Sequence, residues 1–232
     1  MDVEQAKDWA KNKANQETTL QAFFRDNKPK KGKIAFFMAG IPGAGKTEFT
    51  ERTIREASPE LISVEHDKLV EYIDGYTPET YYNYRKAGSI LVTRVFSECI
   101  KNSYAFVFDG TLSHQNGMRN IKKCLANDYS VIVVYLVQSA AKAWELTQAR
   151  EIVKKRAIEK EGFIETCNKI NANLVSILDK FKEHDKFSFW LIDKQGEQDM
   201  KMATAIIHSP SLNKAGEIEK ALQKNYNTAI GN

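Results

Sequence analysis

The stretch Gly40-Ile41-Pro42-Gly43-Ala44-Gly45-Lys46-Thr47 constrains this chain more than any other. It satisfies the pattern G-x-x-x-x-G-K-[ST] at every fixed position. Before it runs the apolar segment Lys33-Ile34-Ala35-Phe36-Phe37-Met38-Ala39. After it, Glu48 to Ala57 contains neither glycine nor proline. Strand, glycine loop and helix in that order are the context in which such a loop cradles phosphate. Gly40, Gly43 and Gly45 put no Cβ in the way, so the N–H groups of the loop, that of Ala44 included, can turn toward phosphate oxygens, and the helix start adds partial positive charge. Lys46 is expected to reach the β- and γ-phosphates of a nucleoside triphosphate, and the Thr47 hydroxyl to hold Mg²⁺.

The rest of the chain reads as one α/β domain. Strands are expected at 33–39, 61–66, 104–109, 131–138 and 187–193, each apolar and separated from the next by helix-like sequence. That alternation calls for crossover connections and a five-stranded parallel sheet with helices on both faces, the phosphate-loop NTPase fold. Ligands then bind beyond the carboxyl ends of the strands. The rule selects the loop itself, His66-Asp67, Asp109-Gly110-Thr111 and Gln138. Residues 1–32 carry Val3, Ala6, Ala10, Leu20, Phe23 and Phe24 at helical spacing and read as a helical appendage. Residues 139–184 form the longest insertion between strands, helix-rich and basic, with Arg150, Lys154, Lys155 and Arg156; this is where a lid belongs. Residues 194–232 read as a polar tail ending in a helix from about Lys214 to Tyr226.

A net charge of +4 is too small to imply a nucleic-acid partner and suits small phosphorylated anions. No apolar run reaches the roughly 20 residues of a membrane span, and Met1-Asp2-Val3-Glu4 lacks the basic start of a signal peptide. Cys99, Cys124 and Cys167 are odd in number and far apart, which points to reduced packing residues in a cytoplasmic protein. Five tyrosines fall within residues 72–84; they read either as a substrate wall or as a packed helix start.

Several phosphate-loop chemistries can be set aside. The guanine reader Asn-Lys-x-Asp is missing, since Asn168-Lys169-Ile170-Asn171 lacks the acid, and there is no Ser-Gly-Gly signature of a transporter ATPase. What remains is a kinase for a small molecule. Asp67 is placed to act as the base or aligner for an attacking hydroxyl, or to cap the following helix. Asp109 closes the run Tyr104 to Phe108, where an acid orients Mg²⁺ or meets the acceptor. His66 is a candidate substrate contact. Arg150 and Arg156, six apart, do not share one helical face, so both reach a γ-phosphate only if the helix breaks between them.

These residues resemble the zeta toxin family of phosphate-loop kinases. The likeness rests on Gly40–Thr47, Asp67, Phe108-Asp109-Gly110-Thr111, Trp144 through Arg150-Glu151, Arg156 and Phe163-Ile164. It implies ATP and Mg²⁺ as cofactors and transfer to a hydroxyl of UDP-N-acetylglucosamine or a related nucleotide sugar. It also implies a possible antitoxin partner. By position it makes Asp67 the base, Lys46 the phosphate clamp, and Arg150 and Arg156 the γ-phosphate clamps. Asp109, Thr111 and Arg119 would serve the acceptor. Many members carry Glu where Asp109 stands and an Arg soon after the Gly-Thr pair; here Leu112-Ser113-His114 follow, and the next arginine is Arg119. Antibiotics, NAD and polynucleotide ends stay open as acceptors. An ATP-gated module that binds a protein partner is the alternative outside enzymes.

Overall fold

A computed structural model describes residues 1–154, 159–194 and 203–229. In chain order the elements are α1 (Val3–Lys11), α2 (Lys13–Asn27), β1 (Ile34–Ala39), α3 (Lys46–Phe49), α4 (Arg55–Ala57) and β2 (Ile62–Val64). Then come α5 (His66–Leu69), α6 (Tyr81–Lys101), β3 (Phe106–Phe108), α7 (Gln115–Ala126), β4 (Ser130–Val137) and α8 (Ala140–Lys154). The chain closes with α9 (Lys160–Phe181), β5 (Phe187–Asp193), β6 (Thr204–His208) and α10 (Ala215–Ala229).

The strands form one sheet in the order β2-β3-β1-β4-β5-β6. The first five are parallel, in register Phe37 with Phe108, Ala39 with Tyr135, and Val137 with Asp193. The strand order reverses at β1, between β3 and β4, so the crevice for a ligand opens beyond its carboxyl end. The glycine loop follows β1 directly.

One expectation needs correction: the sheet has six strands, and β6 runs antiparallel to β5, Leu191 facing Ile206. The sequence reading places its residues in the C-terminal tail. An antiparallel edge strand needs no crossover helix before it, so strand–helix alternation gives no notice of it. It also lies mostly exposed, without the continuous apolar run of an interior parallel strand. Interior strands such as β4 are buried almost throughout.

Phe37 and Phe106 are fully buried, and Phe96 of α6 packs edge-on against Phe106 and Phe108. Each such ring contributes roughly 1.5–3 kcal/mol by leaving water. On the same face, α9 covers β4 and β5: Phe181 meets Phe187, and Tyr135 donates to Asn171 at 2.9 Å. Ala6, Ala10, Leu20 and Phe23 of α1 and α2 belong to this same apolar cluster. Asp2 caps α1 by accepting from the N–H groups of Glu4 and Gln5, and Trp9 Nε1 donates to Asp74 at 3.3 Å. The three cysteines are free and buried.

Candidate active site

The backbone of the glycine loop takes values that side chains resist, with φ of 151° at Gly40, 80° at Gly43 and 85° at Gly45. Gly40 N donates to Thr111 O at 3.5 Å, which ties the loop to the segment after β3. Lys46 opens the following helix and curls its ammonium over the loop, donating to Gly40 O at 2.9 Å and Ile41 O at 3.2 Å. The helical run continues through a π-type stretch, Thr50–Ile54, into α4. Such stretches recur beside functional sites.

A cleft of about 660 Å³ lies over the loop. Gly43, Gly45, Lys46 and Thr47 line one side; His66, Asp67, Asp109, Thr111 and Arg150 line the others. Four segments far apart in sequence, 42–51, 65–67, 109–111 and 146–150, therefore bring most of the expected site together. Gly40 and Ala44 shape the loop rather than the cleft wall, and Ala44 is fully buried. Arg119 sits exposed on α7 and does not line this cleft. Arg156 lies outside the described residues, as do 195–202 of the expected tail.

Asp67 stands in the first turn of α5, two residues beyond its N-cap Glu65, not at the tip of β2. It is therefore not the cap of that helix. Its Oδ1 accepts from the Tyr81 hydroxyl at 3.1 Å, and Arg150 Nη2 lies 3.7 Å from its Oδ2. His66 is oriented separately. Its Nε2 meets the Arg85 carbonyl at 2.8 Å; a carbonyl only accepts, so Nε2 carries the proton. Its Nδ1 faces the Tyr81 hydroxyl at 3.3 Å.

Asp109 is held by its backbone, its N–H donating to Val64 O at 3.1 Å. Its Oδ1 is buried without a hydrogen-bond partner, an arrangement that costs free energy unless something arrives to satisfy it. Burial pushes its carboxyl above the usual range, with the nearby Lys46 charge opposing. Burial likewise pulls Lys46 below the usual lysine value, with Asp109 opposing. Thr111 shares its hydroxyl with Ser113 at 2.7 Å, and Leu112 between them takes a positive φ of 54°. Glu65, nearly buried on the cleft wall, is paired to Lys68 at 2.8 Å.

A second hollow of about 650 Å³ adjoins the first, with His66 in the walls of both. Tyr81, Tyr82, Arg85 and Lys86 line it, and Tyr82 is 67% exposed with Arg85 over its ring at 5.9 Å. The tyrosine-rich string thus divides. Tyr72 and Tyr84 are tied into the fold, Tyr72 donating to Asp26 at 3.1 Å and Tyr84 to Gly75 O at 2.9 Å. Tyr81 and Tyr82 face the hollows. The contact of Tyr81 with Asp67 was not foreseen; the string was the only signal, and spacing alone does not say which ring turns inward.

Among the described residues no cluster of three or more His, Cys, Asp or Glu could hold a metal by itself, and no helix is long and apolar enough to cross a membrane.

Comparison with solved structures gives the same fold at low identity. A chain of the PezAT chromosomal toxin–antitoxin system of Streptococcus pneumoniae superposes with a TM-score of 0.62 at 14% identity, over 95% of this chain and 98% of that one. The AvrRxo1-ORF1:-ORF2 structure with ATP gives 0.66 at 13% identity, over 98% of this chain and 71% of its own. The native AvrRxo1-ORF1:-ORF2 complex gives 0.62 at 12%, over 98% and 80%. No curated protein matches the chain. The family model described as Zeta toxin matches residues 19–200, and on that match, which spans most of its length, the chain belongs to the Zeta toxin family.

Proposed function

We propose that the protein is an ATP-dependent phosphotransferase that moves the γ-phosphoryl group onto a hydroxyl of a nucleotide sugar such as UDP-N-acetylglucosamine. The observation that carries this reading is Asp67, set in the wall of the glycine-loop cleft between Tyr81 and Arg150. A hydrolase needs only water at the γ-phosphate; a carboxylate aimed by two neighbours suits an attacking hydroxyl that must be aligned and deprotonated. ATP is named as donor because the loop fits polyphosphate and a structural neighbour was solved with ATP.

In this reading Lys46 leaves its loop carbonyls for the β- and γ-phosphate oxygens. Arg150, on the lid helix α8, neutralises charge that grows on the transferring group. Asp67 takes the proton of the acceptor hydroxyl. Thr47 and the orphaned Oδ1 of Asp109 fit Mg²⁺, an ion that draws most of its ligands from phosphate and water. Bound there, it would neutralise phosphate charge. The acceptor enters through the second hollow, where the Tyr82 ring offers a face to a base and Arg85 and Lys86 suit a diphosphate.

Because the structural neighbours come from a toxin–antitoxin system and a two-component complex, we extend the reading to a toxin restrained by an antitoxin protein. The test of the chemistry is incubation with ATP, Mg²⁺ and UDP-N-acetylglucosamine, followed by mass spectrometry. A product heavier by one phosphoryl group, with matching ADP release, is expected. ADP release that ignores every nucleotide sugar offered would overturn the acceptor class.

A further inference from the structure

Lys194 is a buried cation that the site described above does not use. It follows β5 by one residue and is only 3% exposed. Its N–H still bonds Val137 O at 3.4 Å, so the strand direction persists through it. A Cβ placed on Gly45 would stand 2.9 Å from Lys194 Nζ. The ammonium therefore fills the space that the missing side chain of Gly45 leaves behind the phosphate loop.

Among the described residues no acid pairs with this charge. Asp193, next in sequence, projects from the opposite face of the strand, the face that Tyr135 and α9 occupy. Glu48 also flanks Gly45, with Oε2 at 3.9 Å from the same point, but it is paired with Arg52 at 3.2 Å. Among the described residues nothing forms an ion pair or hydrogen bond with Lys194 Nζ. A buried ammonium without a counter-charge is a standing cost to the folded chain.

A second donor lies beside it. Val137 pairs with Asp193, so Gln138 and Lys194 are neighbours one step further along, on one face and at the carboxyl ends of adjacent strands. Gln138 is buried, its Oε1 accepts from Ser139 N at 3.1 Å, and its Nε2 has no partner. A buried donor without a partner and an ammonium that no described residue pairs with, packed against the loop where α/β sheets bind ligands, describe a place kept positive for an anion.

We propose that Lys194 supplies a second positive charge to the phosphate loop from behind Gly45, and so holds the polyphosphate of the bound nucleotide. The proposal rests on the loop binding a nucleotide. Lys194 acts through the Gly45 backbone, as a positioning and electrostatic residue that is separate from the transfer chemistry. In a poorly hydrated setting a charge works over several ångströms with little screening. Because it acts on the diphosphate that ATP and ADP share, its contribution is uniform between them, unlike that of a γ-phosphate clamp.

The experiment is calorimetric titration of full-length Lys194→Met with Mg-ATP and with Mg-ADP, beside thermal melts without nucleotide. Lys194→Gln is measured in parallel, and Lys46→Ala serves as control. The expected result is a fall of roughly ten- to a hundredfold in affinity, the same for both nucleotides. The melting temperature of the nucleotide-free Met variant is expected to hold or rise, since a neutral chain of similar length replaces an unpaired charge. A purely structural lysine would give the opposite pairing, lower melting temperature with parental affinity, and that result overturns the proposal. Failure of both variants to fold overturns it too, because the ammonium is then structural. Parental ADP binding in Lys194→Met with lost binding in Lys46→Ala sinks this proposal alone; parental binding in both sinks the nucleotide reading beneath it.

Discussion

The Tyr81 hydroxyl donates to Asp67 Oδ1 across 3.1 Å, joining the first residue of α6 to the first turn of α5. With Arg150 3.7 Å from the other oxygen, the carboxylate is aimed before any acceptor arrives. Asp67→Asn keeps the shape and loses the carboxylate that is proposed as the base. Turnover is expected to fall by roughly 10²–10⁴-fold. Calorimetry should find ADP affinity near the parent's, and the melting temperature should change little because Asp67 is partly exposed and caps no helix. Tyr81→Phe removes one hydrogen bond and keeps the ring, so a milder loss of about two- to tenfold in kcat is expected. Near-parental transfer in Asp67→Asn would move the base to Asp109.

Lys46→Ala removes the ammonium that bridges the loop and is expected to abolish most transfer even at saturating ATP. Steady-state assays over a range of ATP separate weak binding from slow chemistry. An unchanged rate at saturation would rule out a functional phosphate loop.

Arg150→Ala is expected to lower turnover by a larger factor than ADP affinity, since in the proposed reaction its guanidinium serves charge on the transferring γ-phosphoryl group. Arg156→Ala should behave the same way if both are clamps. Equal losses in the two measurements would make either residue a plain nucleotide contact.

Alkaline pH is expected to weaken the fold well before it weakens surface ion pairs. Burial raises the Cys99, Tyr129 and Tyr135 groups far above their ordinary values and pushes Cys124 up to about 12. In the unfolded chain these thiols and phenols shed protons near their ordinary values of 9.0 and 10.0, while the folded chain keeps them. The folded state then binds more protons, so stability is full below about pH 9 and falls as pH rises toward 12, by up to about 1.4 kcal/mol per pH unit for each group. Lys46, shifted down by burial, runs the other way but is a single group. Urea unfolding at pH 8 and pH 10.5 checks this; equal midpoints would contradict it.

Much of the site was legible in the sequence because backbone geometry carries it. A glycine loop between a strand and a helix has one place in a parallel sheet, and the ends of β2 and β3 must open on the same side of it. Asp67, Asp109 and Thr111 therefore converge on Lys46 as the strand order requires. What the text of the chain withholds is set by packing. β2 stops at Val64, so Asp67 rides on a helix turn. Tyr81 differs from Tyr84 only in which way α6 turns it. Lys194 reads as the first residue of a polar tail, and nothing local tells that its ammonium is folded under Gly45. β6 is held by the edge of β5, a non-local cause.

Gly43 meets α8 at its root: a Cβ there would stand 2.1 Å from Ala143 O and 2.8 Å from Thr147 Oγ1. Thr147 in turn donates to Ala143 O at 2.7 Å. The first turns of α8 are thus seated on the loop without a methyl group of clearance. A hinge needs slack, and here there is none. Arg150, one turn beyond that seat, cannot swing independently of residue 43; strain at one end is displacement at the other. The loop and the base of α8 are packed as one piece, so a displacement of the loop at residue 43 is carried into the turn that holds Arg150. It also means that alanine at position 43, though chemically silent, would pry α8 from its seat.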